Sequence, residues 1–200
     1  MTGNKILAGA AKYSSNRGIV LYNSSKVKGS INKNTIEKCS DSAIVVSLKS
    51  QVTGSVNGNK ISSATKYGIQ TLNKSSIGKA ISSNTIKNAK TSGILIGSIS
   101  NTLKIEKNKI SGCSNAGIYI QPETTKYKIT ATNNTITGNK KGSGFTIRKA
   151  KILITKNKIS SVTFGVYADK ACTGKVYSNT IKKATKKKVY TDTKKVKLKK

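Results

Sequence analysis

Asn59-Lys60-Ile61-Ser62, Asn84-Thr85-Ile86-Lys87 and Asn108-Lys109-Ile110-Ser111 repeat one phrase, Asn-(Lys or Thr)-Ile, and that phrase decides the fold. It also stands at Asn4, Asn34, Asn134, Asn157 and Asn179, so eight copies follow one another at intervals of 30, 25, 25, 24, 26, 23 and 22 residues. A unit of this length cannot bury an apolar face alone and must stack on its neighbours, which marks the chain as a solenoid. The coil from Val52 to Ser76 gives the internal pattern. Val52, Gly54 and Val56 are expected on one face of a first strand, Ile61 and Ala64 on a second, and Gly68-Ile69-Gln70-Thr71 opens a third. Runs such as Asn73-Lys74-Ser75-Ser76 are turn chemistry, and helical spacing is absent.

The same columns run through the other coils. The first strand carries Ile31, Val56, Ile81, Ile105, Ala131, Ile154 and Val176, and the third carries Gly-Ile pairs such as Gly18-Ile19, Gly93-Ile94 and Gly117-Ile118. Lys79 falls in an inward phase, for which a one-residue bulge beside Gly78 is the expected remedy. The middle residue of the phrase alternates strictly between Lys and Thr. Lysines in one column on successive coils would stand about 4.8 Å apart and repel, and alternation doubles that distance.

With these coils, the Asn ahead of an inward Ile, and the pairs Gly68-Ile69, Gly93-Ile94 and Gly117-Ile118, the chain resembles the right-handed parallel β-helix, or pectate-lyase-like, superfamily. The likeness spans nearly the whole chain. It implies an all-β fold, a right-handed parallel β-helix solenoid of about eight coils with 22–25 residues per coil. Residues 1–181 are expected to form the β-helix, and the Lys-rich 182–200 either a last coil or a tail. The resemblance also implies that the repeat Asn residues stack as an internal amide ladder at a bend, and Asn is suited to a left-handed turn position. A superfamily that holds lyases, hydrolases, epimerases and surface proteins leaves the function open.

Composition narrows it. Lys and Arg number 38 against 6 Asp and Glu, a net charge of +32 with no His. Only Arg17 and Arg148 are arginines, so the balance favours diffuse attraction for polyanions over geometry-specific reading. The expected partner is an acidic polysaccharide or other polyanion, with nonspecific nucleic-acid binding as an alternative. No apolar run approaches the roughly 18 residues of a membrane span, so no membrane insertion is expected. The abrupt start at Met1-Thr2-Gly3-Asn4 suggests a segment of a longer exported or cell-surface protein, with its export signal upstream. Oligomeric state is not legible.

Catalysis is hard to assemble. Glu37, Asp41, Glu106, Glu123, Asp169 and Asp192 fall mostly in different coils, which disfavours the paired carboxylates of a hydrolase, and no metal or other cofactor is expected. A lyase or epimerase could use Arg17 or Arg148, yet these border the third strand at opposite ends of the solenoid. The expected reading is a non-catalytic, polyanion-binding segment, with a lyase- or epimerase-like fragment as the alternative. One outward column runs Val20, Val45, Gln70, Leu95, Tyr119, Thr146, Tyr167, Tyr190, and exposed aromatics there would stack on sugar rings. Tyr119, Tyr167 and Tyr190, with Lys60, Lys109 and Lys158, are the expected ligand contacts. Cys39 and Cys113 share a column of small residues with Gly9, Ala64, Ala89 and Ala184, about 14 Å apart at the sheet spacing. They and Cys172 are expected to be buried free thiols.

Overall fold

In the computed structural model, which describes residues 1–8 and 16–199, every regular element is a β-strand. The strands stack in parallel, coil upon coil. The Asn-Xaa-Ile strands run from Lys5–Leu7 to the first part of Thr180–Thr191. Ile6, Ile36, Ile61, Ile86, Ile110, Ile136, Ile159 and Ile181 stand opposite one another in register. Eight rungs enclose seven full turns, close to the expected eight coils. A second series holds the Gly-Ile strands, Ile19 pairing on to Ile44, Ile69, Ile94, Ile118, Phe145, Val166 and Val189. A third runs from Ile31–Asn32 to Val196–Lys199 in one eight-stranded sheet. Residues 180–191 and 196–199 thus pair into the solenoid as its final coil.

Inward residues of the three series form one core, in which Ile36, Ile44, Ile69, Ile81, Ile94 and Ile118 are wholly buried. Each fully buried Ile or Val contributes about 1.5–3 kcal/mol, repeated at every coil. The Gly of the Gly-Ile pair is set by this packing. A Cβ on Gly93 would lie 2.5 Å from Ile110 Cγ2 and 2.8 Å from the Gly117 carbonyl oxygen, closer than carbon can approach. Gly is the residue that lets the Ile of the next coil fill the corner.

The first three coils depart from the expected three strands. Gln51–Val52 and Val56–Asn57 are separate strands in different sheets, with Thr53-Gly54-Ser55 turning an extra corner between them. Val52 and Val56 are both buried, but they do not share a strand face. Lys79 belongs to the same corner one coil on, between Ser76–Ile77 and Ala80–Ser82, and is exposed. A short corner, of three residues at 28–30 and 53–55 and of two at 78–79, replaces the expected single bulge. From Leu103–Glu106 onward the corner is lost and one strand spans that side.

The amide ladder is complete. Asn4 Nδ2 donates to Asn34 Oδ1 at 2.9 Å, and the link repeats through Asn59, Asn84, Asn108, Asn134 and Asn157 to Asn179 at 2.8–2.9 Å. The second amide proton reaches a buried carbonyl, as from Asn84 to Val56 and from Asn134 to Ile105. The left-handed residue of the bend is not the ladder Asn, however. It is the residue before it: Lys33, Gly58, Ser83, Lys107, Asn133, Lys156 and Ser178 all have φ between 50° and 64°. The bend turns first, and the Asn then enters the strand with its side chain aimed inward.

Cys39, Ala64, Ala89 and Cys113 are buried small residues as expected, whereas Gly9 lies outside the described residues. All three cysteines are free and buried.

Candidate functional site

The Gly-Ile strands present two outward columns at their C-terminal ends. One is the expected column, and its register holds from Val20 through Val45, Gln70, Leu95, Tyr119, Thr146 and Tyr167 to Tyr190. Its exposure is uneven. Val20 is 43% exposed, but Val45 and Leu95 are only 3% and 9% exposed. The second column follows as each strand ends, where Leu72, Gly97, Gln121, Arg148, Asp169 and Asp192 donate their backbone N–H to the preceding coil.

Between them runs a groove of about 480 Å³ lined by Tyr67, Leu72, Leu95, Tyr119, Gln121 and Arg148, among others. Tyr119 is half-buried, and its hydroxyl donates to Gln121 Oε1 at 2.6 Å, which fixes the ring at the groove wall. Arg148 is exposed and, among the described residues, pairs with no carboxylate; the ion pairs all converge on Asp41. The groove therefore combines apolar walls, amide and hydroxyl groups, and one uncommitted guanidinium suited to bidentate contact with an anion.

Tyr167 and Tyr190 lie further along, separated from Tyr119 by Thr146. Their rings stack on each other at 5.3 Å and 12°, with Phe164 against the edge of Tyr167 at 5.7 Å. Each gives one face to its partner, so the pair offers a ligand only its outer surfaces. Lys187 lies 5.1 Å over the Tyr190 ring. A hydrogen bond to the Asp192 carboxylate, reinforced by its charge, raises the Tyr190 phenol above its ordinary value.

Lys60, Lys109 and Lys158 stand on another side. They are exposed on the Asn-Xaa-Ile strands, each flanked by Thr in register, and Lys60 and Lys109 border shallow hollows of about 330 and 160 Å³ with Lys87. No tyrosine lines the hollows beside Lys60 and Lys109, and none of these lysines lines the groove at Tyr119.

Two arrangements escaped the sequence reading. Asp41 is almost fully buried and accepts from Arg17 Nη2 at 2.8 Å, from Arg17 Nε at 3.1 Å and from Ser42, with Lys66 Nζ at 3.5 Å. Arg17 is thereby committed to structure. Asp169 and Asp192, in different coils as expected, follow Arg148 at the same strand end on successive coils; their 23-residue separation, one coil period, was the available signal. Asp169 already accepts from the N–H groups of Lys149 at 3.2 Å and Ala171 at 3.0 Å, capping its turn.

Residues 92–199 match the protein family described as right handed beta helix region, a little over half of the chain. No curated protein and no solved structure matches the chain.

Proposed function

The chain belongs to the right-handed β-helix family, and from that premise we propose that it is a non-catalytic binding segment whose Gly-Ile face holds acidic polysaccharide. The groove beside Tyr119 and Arg148 carries this reading. It sets an aromatic wall, which can stack on a pyranose, against a guanidinium that no carboxylate neutralises, inside a chain of net charge +32. The tyrosine pair at 167 and 190 extends the same face toward the last coil. Such glycans are met outside cells, so the reading places the parent protein among exported or surface-attached proteins.

The test is binding to an acidic polysaccharide and to DNA across a salt series, with Tyr119, Tyr167 and Tyr190 changed together to Ser. A steep salt dependence is expected on both ligands from the lysines. The tyrosine change should cost polysaccharide affinity and leave DNA affinity in place. Equal loss on both, or on neither, would reduce the protein to a nonspecific cationic rod.

The position of Arg148 beside Asp169 favours one second reading, elimination chemistry on a uronate. It predicts absorbance from a new double bond when polyuronate is mixed with the protein, abolished in Arg148→Gln. The caps that Asp169 accepts tie up that carboxylate and make binding the better-supported function.

A further inference from the structure

The sheet that runs from Ile31–Asn32 to Val196–Lys199 breaks a charge rule kept elsewhere on the solenoid. On the Asn-Xaa-Ile strands Lys60, Thr85, Lys109, Thr135, Lys158 and Thr180 alternate in one register, so no lysine faces another. Among the described strands Lys stands opposite Lys only twice, and both pairs lie on this sheet: Lys128 with Lys151, and Lys175 with Lys197. Like charges in register on strands about 4.8 Å apart destabilise a sheet. No carboxylate relieves either pair, since the ion pairs among the described residues all converge on Asp41.

Three of these lysines, Lys128, Lys151 and Lys175, border a hollow of about 260 Å³, with Leu153 and Tyr177 half-buried in its wall. No acidic residue lines it. The one acid on the described strands of this sheet, Glu106, pairs with Thr132, at the far end of the strand that Lys128 begins. At the register that Ile129 and Ile152 hold in earlier coils the next strand has Gly174, with φ 126°, so bare backbone borders part of the hollow. Tyr177, unlike Tyr167 and Tyr190, gives its ring to no aromatic partner among the described residues.

We propose that this hollow binds a nucleoside diphosphate or triphosphate laid across the strands, its base against Tyr177, its sugar over Leu153 and its phosphates between Lys128 and Lys151. Two ammonium groups on neighbouring strands suit a multiply charged phosphate, whose own charge removes the repulsion between them. Tyr177 lies four residues along the strand and one coil along the axis from Lys151, about 14 Å away. That span is close to the reach of such a molecule from terminal phosphate to base. Lys175 stands opposite Leu153, between the two ends, where it meets the phosphate nearest the sugar. A phenol ring stacks on any base, so the site discriminates little among bases. The hollow lies on a different sheet from the Tyr119 groove and does not rest on the function proposed for that groove.

The experiment is calorimetric titration with ATP, tripolyphosphate and tetragalacturonate at one salt concentration, in buffer free of divalent cations. It uses wild type, the triple variant Lys128→Gln, Lys151→Gln, Lys175→Gln, and a control, Lys26→Gln, Lys28→Gln, Lys79→Gln, which removes equal charge from exposed positions in the early coils. The hollow variant should weaken ATP by about tenfold or more and the control by less than about threefold. Tyr177→Ser should weaken ATP by about fivefold or more and leave tripolyphosphate within about twofold. Tyr177→Leu keeps an apolar side chain on the strand and gives the same comparison if the serine variant fails to fold. Equal losses of ATP affinity in the two triple variants, tetragalacturonate bound as tightly as ATP, or a Tyr177 change that costs ATP and tripolyphosphate alike would each overturn the proposal.

Discussion

Replacing Asn108 by Ala tests how much of the solenoid's stability resides in its amide ladder. Asn108 Oδ1 accepts from the Asn84 backbone N–H at 3.0 Å and from Asn84 Nδ2 at 2.9 Å. Its Nδ2 donates to Asn134 Oδ1 and to the Ile81 carbonyl, both at 2.9 Å. Alanine removes all four bonds at a site with no access to water. Asn134 Oδ1 keeps the Asn108 N–H at 3.1 Å, and Asn84 Nδ2 keeps the Val56 carbonyl at 2.9 Å. The Asn84 N–H and one proton of its amide keep nothing. At about 1–3 kcal/mol for each buried orphan, the loss comes to about 4 kcal/mol, a large part of the 5–15 kcal/mol typical of a folded protein. Asn4→Ala, at the exposed end of the ladder, gives up its bonds to Asn34 and Thr2 with water at hand, and should cost about 1 kcal/mol. Urea unfolding followed by circular dichroism measures both. Stacked coils need not melt as one unit, so the slope should be compared as well as the midpoint. An Asn108→Ala protein within about 1 kcal/mol of wild type, or no less stable than Asn4→Ala, would refute the ladder as a source of stability.

Gly93→Ala should destabilise by about 1–3 kcal/mol in the same assay, because its methyl group meets Ile110 and the Gly117 carbonyl; no measurable loss would contradict the packing. Burial alone would raise the Asp41 carboxyl, but hydrogen bonds from Arg17 and Ser42 and the charges of Arg17 and Lys66 outweigh it and hold the group below the usual carboxylate range. Its contribution is therefore full above the unfolded value of about 3.9 and is lost as pH falls through the lower folded value. Wild type should lose more stability than Asp41→Asn over that acid range, and parallel pH profiles would remove Asp41 from the account. Burial pushes the Cys113 thiol up to about 12 and Cys172 to about 11, and raises Cys39. A disulfide reagent at pH 8 should react slowly with the folded protein and titrate all three thiols in urea; fast reaction of any one in the native state would place it at the surface.

The sequence disclosed whatever the coil period controls. Ile61, Ile86 and Ile110 had to stack because their phrases recur at nearly constant spacing, and the outward Val20-to-Tyr190 column follows from the same count. What it hid depends on departures from the period. Short corners split the first side in the early coils, and no local residue preference separates Thr53-Gly54-Ser55 from a strand with a Gly in it. Exposure was also illegible. Val20, Val45 and Leu95 hold equivalent places in one column, yet the first is exposed and the other two are buried, a difference that the period does not carry. Asp41 illustrates a third case: a carboxylate beside a strand reads as solvated until the coil before it brings Arg17 to within a hydrogen bond.

The charge fits into this account through strand parity. Along an Asn-Xaa-Ile strand the residues alternate between core and solvent, so Asn59 and Ile61 belong to the ladder and core while Lys60 and Ser62 face outward. Core-facing and solvent-facing residues therefore alternate along one strand. That division lets a chain of net charge +32 fold: its cations gather on outward positions, where water and salt screen them. The strict Lys-Thr alternation limits the remaining repulsion by keeping like charges in one column about two coils apart. Placing Lys87 in the neighbouring column on the intervening coil restores a cation to that coil without restoring the clash.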